Sequence, residues 1–115
     1  MRVRIRGRTY GIEKTVREHA DRMIRLTMGR FAAAVEDVSL LLEEFRKRSG
    51  SGGTVFRCRV SVRLTPRGHV SVKHTAGEAS AAIDGALERA CRTVERRLQL
   101  RLQGHAPYDR TARCR

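Results

Sequence analysis

A chain of 115 residues sets the scale of one domain with a modest core. At 40% hydrophobic and 32% charged it is globular rather than disordered, and no apolar run approaches the roughly 20 residues a bilayer span needs. Its 25 Lys and Arg against 12 Asp and Glu leave a net charge of +13, which points to an extended polyanion, since each phosphate neutralised releases condensed counterions. All the basic residues except Lys14, Lys47 and Lys73 are Arg. Arg grips phosphate bidentately, whereas Lys acts as a point charge. A high-GC genome would explain that ratio but not the net charge. Nucleic acid leads as the partner class, ahead of an anionic membrane or an acidic protein.

The N-terminus, MRVRIRGR, alternates charge with Val3 and Ile5 and lacks the apolar centre of a signal peptide. A cytoplasmic protein is the expectation. The same alternation, Arg2, Arg4 and Arg6 against Val3 and Ile5, is the period of a half-buried strand. Tyr10-Gly11 should turn the chain. A helix follows from Ile12 to about Met28, with Ile12, Val16, Ala20, Met23 and Thr27 on one face and Gly29 as its stop. Glu18 with Arg22 and Asp21 with Arg25 are i,i+4 pairs on its outer side.

Val35 to about Phe45 reads as an interior strand. RKRSGSGG, residues 46–53, marks a flexible loop. Thr54 to Leu64 alternates most clearly, with Phe56, Cys58, Val60, Val62 and Leu64 on one face and Arg57, Arg59 and Arg63 on the other. Pro66-Arg67-Gly68 is a tight-turn signal, and His69 to Thr75 is the partner strand, with Val70 and Val72 inward.

From Glu78 to about Leu102 the chain reads as one long amphipathic helix. Ala79, Ile83, Ala86, Leu87, Ala90, Val94 and Leu98 fall on one stripe, and Arg89, Arg92 and Arg96 on the opposite face. Arg97 and Arg101 point along the apolar stripe, which suggests that the last turns overhang the sheet as a cationic rod. Gly85 in mid-helix costs about 1 kcal/mol relative to Ala, so close packing or a partner contact should explain it. Residues 1–102 form the domain, and residues 103–115, without periodicity, form a basic tail.

The order is therefore β-α-β-β-β-α. A right-handed crossover makes the first two strands parallel neighbours, and the other pairings are antiparallel. The expected fold class is α+β: a two-layer sandwich, a four-stranded sheet with both helices on one face. The uncovered face then carries Arg, including Arg2, Arg4, Arg6, Arg57, Arg59 and Arg63, as a solvated back or a second RNA-facing surface.

Chemistry of other kinds finds little footing. SGSGG lacks the Lys-Ser/Thr of a phosphate loop, and no motif places a Ser, His and Asp set, so no catalytic residue, cofactor or small-molecule substrate is expected. His19, His69, His74 and His105 show no ligand spacing, so no metal site is expected. Three widely spaced cysteines, Cys58, Cys91 and Cys114, suit a reducing compartment, the first two as small core hydrophobes. With 4% aromatic residues, base stacking is disfavoured and recognition by backbone and shape favoured.

The run AAIDGALERACRTVERRL in the last helix, together with IEKTVREHADRMIRL in the first, resembles the bacterial ribosome hibernation-promoting factors and ribosome-associated translation inhibitors. The likeness covers roughly residues 1–102 and matches the whole element order. It implies binding to the rRNA of the small ribosomal subunit, in the channel of mRNA and tRNA, with translation blocked by occupancy under stress. The family's basic positions carry over at Arg22 and Arg25, at Arg89, Arg92 and Arg96, and less closely at Arg97; Arg101 extends the same rod. The tail at 103–115 is too short for the ribosome-dimerising domain of longer relatives, so the likeness is to the short form, monomeric off the ribosome. Against the RNA-contact reading stands a solvated helix back, favoured by the Glu88–Arg92 spacing. The alternatives are a general double-stranded-RNA-binding module and a protein-interaction module for an acidic partner, the latter in keeping with an older name for relatives, sigma-factor modulation protein.

Overall fold

The computed structural model describes residues 1–8, 12–46 and 53–102. The expected turn at Tyr10-Gly11, most of the 46–53 loop and the tail at 103–115 lie outside the described residues. The elements run β1 (Arg2–Gly7), α1 (Lys14–Met28), a 3-10 turn (Gly29–Phe31), β2 (Val35–Arg46), β3 (Thr54–Leu64), β4 (His69–Ala76) and α2 (Ala79–Leu102). The sheet order is β1-β2-β3-β4, with β1 parallel to β2 and the other neighbours antiparallel. This is the α+β architecture expected from the alternation of periods along the chain.

The core forms because one face of the sheet is apolar in register. Ile5, Leu40, Val60 and Val72 form one row across the four strands, and Val3, Val38, Val62 and Val70 the next. A bulge between Val35 and Asp37 lets Val35 and Val38, three apart, both turn inward. Ala82, Ile83, Ala86, Leu87, Ala90 and Val94 of α2 are buried on this face with Ala20, Ile24 and Met28 of α1. Each large side chain removed from water contributes about 1.5–3 kcal/mol.

Two expectations need correction. In α1 the residues pressed deepest are Ala20, Ile24 and Met28, whereas Met23 and Thr27 are half-buried. The helix is rotated so that the Ile24–Met28 row meets the sheet and the Met23–Thr27 row faces α2, where Cys91 Sγ donates to the Thr27 carbonyl at 3.5 Å. The end of α2 is no free rod either. Arg97 donates to the His69 carbonyl at 2.9 Å and Arg101 to the Thr65 carbonyl at 2.7 Å and to the Arg67 carbonyl, so both guanidinium groups fold onto the β3–β4 turn. That turn holds a cis Thr65-Pro66 bond and Gly68 at φ 127°, a conformation side chains disfavour. Its carbonyls are left for the arginines to satisfy.

Candidate nucleic-acid interface

Two cationic surfaces lie on opposite sides of the molecule. On the helix side, α1 and α2 together carry nine basic and five acidic residues. Arg89, Arg92 and Arg96 share a stripe of α2 because they are three and four apart, and all three are exposed. Arg92 pairs with Glu88 at 3.1 Å, an i,i+4 contact between exposed groups that contributes a few tenths of a kcal/mol at most. Arg89 and Arg96 have no acidic partner among the described residues. On α1, Arg25 is held by Asp21 at 3.1 Å, and that hydrogen bond with the Asp21 charge pushes its pKa up. Arg22 is exposed and has no acidic partner among the described residues; the expected Glu18–Arg22 pair is not formed.

A groove of about 450 Å³ separates the two helices, with Asp84, Glu88 and Glu95 of α2 on its wall beside Arg30, Met23 and Thr27. Arg30 reaches Glu95 at 3.6 Å and lies over the Phe31 ring. His19 meets Asp84 at 2.8 Å and ties α1 to α2. The helix side is thus two basic ridges flanking a mixed-charge groove. Of the residues anticipated for RNA contact, Arg22, Arg89 and Arg96 are the freest, Arg25 and Arg92 are weakly paired, and Arg97 and Arg101 hold a turn.

The opposite side is the uncovered sheet face. The alternation that turns Val3, Val38, Val60 and Val72 inward turns Arg2, Arg4 and Arg6 of β1, Arg57, Arg59 and Arg63 of β3, and Lys73 of β4 outward. Asp37 and Glu43 of β2 are the acids among them, and both are engaged. Asp37 lies 3.4 Å from Arg4 and 3.8 Å from Arg63. Glu43 accepts from Arg8 at 2.9 Å and Arg57 at 3.0 Å, and it stands 3.3 Å from Arg59. At 2% exposure its carboxylate is covered by these side chains. Burial pushes its pKa up, but the hydrogen bonds from Arg57 and Arg8 and the charges of Arg57 and Arg59 outweigh that and leave it below the ordinary carboxylate value. Arg57 also stacks 4.8 Å over the Phe45 ring. Sequence reasoning passed over Glu43. The available signal was its phase with Asp37, six residues earlier in the same strand, opposite a strand rich in Arg.

Among the described residues, no group of three or more His, Cys, Asp or Glu is arranged to hold a metal ion, and no helix is long and apolar enough to cross a membrane.

A family model described as sigma 54 modulation protein / S30EA ribosomal protein matches residues 3–101. The chain belongs to that family. This upholds the likeness to the hibernation-promoting factors read from the two helices. Among solved structures, the fold is similar to a ribosomal subunit interface protein from Coxiella burnetii, with a TM-score of 0.69 at 10% identity, covering 86% of this chain and 99% of that one. It is also similar to the N-terminal domain of Protein Y from Thermus thermophilus, with a TM-score of 0.65 at 23% identity, covering 84% of this chain and 98% of that one. At these identities the likeness establishes the shared fold. No curated protein matches the chain.

Proposed function

We propose that this chain is a non-enzymatic translation inhibitor that binds the small ribosomal subunit in the mRNA and tRNA channel and acts by occupancy. The observation that carries this is a family match across nearly the whole domain, on a chain whose exposed helix ridges leave Arg22 of α1 and Arg89 and Arg96 of α2 without acidic partners among the described residues. Those groups, with Arg25 and Arg92, contact rRNA phosphates; Arg97 and Arg101 contribute from the end of α2 where their remaining donors face solvent. The forked guanidinium grips a phosphate bidentately whatever the base attached to it, so affinity comes from backbone contact and shape.

Cosedimentation tests this directly. Stoichiometric retention on isolated small subunits, displaced by initiator tRNA with mRNA, is the expected result. Equal affinity for arbitrary duplex RNA would favour a general double-stranded-RNA binder. The other half of the family's description, sigma 54 modulation, corresponds to a protein partner, and association that survives RNase treatment would favour it.

A further inference from the structure

The uncovered sheet face has a floor as well as a rim. Register places Arg4, Ser39, Ser61 and Ser71 side by side across all four strands, one row perpendicular to the strand direction. The rows on either side are basic. Arg2, Asp37, Arg63 and His69 form one bank, and Arg6, Leu41, Arg59 and Lys73 the other. Arg59 and Arg63 are four residues apart on one strand, so the banks stand about 13 Å apart at the backbone. Small hydroxyl side chains between long guanidinium side chains make a trough. Two shallow depressions mark it, one lined by Arg4, Asp37, Ser39, Ser61, Arg63 and His69, the other by Arg59, Ser71, Val72 and Lys73.

We propose that this trough is a second RNA-binding surface, in which a single sugar-phosphate strand lies across the sheet along Ser39, Ser61 and Ser71 between the two arginine banks. The inference rests on the RNA partner of the proposed function and adds the opposite face of the molecule to it.

Charge selects the occupant. Among the described residues the face presents seven basic side chains, with Asp37 and Glu43 as the acids set among them. Both acids are already neutralised by neighbouring arginines, and they also hold those arginines in place. Arg4, Arg59 and Arg63 stay 56%, 48% and 60% exposed while so held. A guanidinium steadied by one carboxylate edge keeps further N–H donors for a phosphate oxygen. Serine hydroxyls both donate and accept, which suits phosphate oxygens and ribose hydroxyls alike. Phe45, the aromatic ring at the outward phase of β2, lies beyond the Arg6–Lys73 bank with Arg57 stacked on one side of it, so among the described residues the trough itself offers no platform on which bases would stack. The fit is to backbone.

The test uses the full chain, isolated small subunits and a salt titration of binding, with three variants compared with the wild type. In Ser71→Asp a carboxylate enters the exposed part of the trough without removing any ion-paired side chain of the sheet; Ser71→Ala is its neutral control. Arg59→Gln with Arg63→Gln removes one cation from each bank. Affinity should fall at least tenfold in Ser71→Asp and less than twofold in Ser71→Ala. The double Gln variant should flatten the slope of log K against log salt by about 1.4–1.8, from roughly 0.7–0.9 for each phosphate left unneutralised. Unchanged affinity in Ser71→Asp and an unchanged slope in the double variant, with melting temperatures preserved, would overturn the proposal while leaving the helix-side reading intact. Wild-type protein that fails to bind small subunits would instead overturn the proposed function. Binding that depends on Arg59 and Arg63 yet survives RNase treatment would replace the RNA strand with an acidic protein and also overturn the proposal.

Discussion

The His74 imidazole of β4 occupies the space that any side chain on Gly85 of α2 would need: a Cβ at Gly85 would stand 2.7 Å from His74 Cγ and closer still to Cδ2 and Nε2. The glycine is therefore a packing device that lets α2 close onto the sheet. Gly85→Ala forces an imidazole ring to move, at about 1–3 kcal/mol, against a gain in helix propensity of about 1 kcal/mol. The net effect should be destabilising. In a His74→Ala background the clash is gone and the same substitution should stabilise by up to about 1 kcal/mol. Urea unfolding of the four proteins in this cycle checks the sign change; an equal effect in both backgrounds would show that His74 is not the reason for the glycine.

Glu43 is a hub between Arg8, Arg57 and Arg59 on the open sheet face. Glu43→Gln should cost about 1–2 kcal/mol near neutral pH, where three cations lose the negative charge and one acceptor oxygen of their common partner. The native carboxyl has a lowered pKa, so its stabilising share is fully present above the unfolded carboxylate value and is lost as pH falls through the folded one. The gap between wild type and Glu43→Gln should therefore narrow below about pH 4. Thermal melts across that range decide it, and a gap that widens in acid would contradict the assignment.

The arginines of α2 should separate into two classes. Replacing Arg89, Arg92 and Arg96 with Ala should leave the melting temperature nearly unchanged and flatten the salt dependence of ribosome binding by roughly 0.7–0.9 for each phosphate no longer neutralised. Replacing Arg97 and Arg101, which donate to the His69, Thr65 and Arg67 carbonyls, should instead lower stability by about 1–2 kcal/mol and loosen the β3–β4 turn. Amide hydrogen exchange at residues 64–70 reads the second effect. Similar behaviour in the two sets would erase the distinction.

Cys58 is fully buried, and burial pushes its thiol up to about 12, whereas Cys91 is half-buried between the helices. In a Cys114→Ser background, a thiol reagent at about pH 8, near the ordinary thiol pKa, should label Cys91 in the native protein and Cys58 only on unfolding. A raised thiol pKa also means that the folded state keeps its proton after the unfolded chain has released one. Stability linked to Cys58 is present below the ordinary thiol pKa and drains away from there toward about 12. Cys58→Ala should blunt that alkaline loss.

The sequence by itself determined the elements and their faces. Side-chain direction follows from periods of two and 3.6, so Phe56 to Leu64 could be assigned to the inner face and Arg57, Arg59 and Arg63 to the outer without any tertiary information. The cationic character and the family likeness of the two helices were equally local. What only the tertiary structure decided was which charges are engaged by residues of distant elements. Arg97 reaches His69 and Arg101 reaches Thr65 across 28 and 36 residues of chain, Glu43 gathers Arg8 from 35 residues away, and Ser39, Ser61 and Ser71 become one row only when three strands settle into register. Periodicity states where a side chain points relative to its own element. The partner it finds there depends on how distant elements pack, and no local pattern in the chain encodes that.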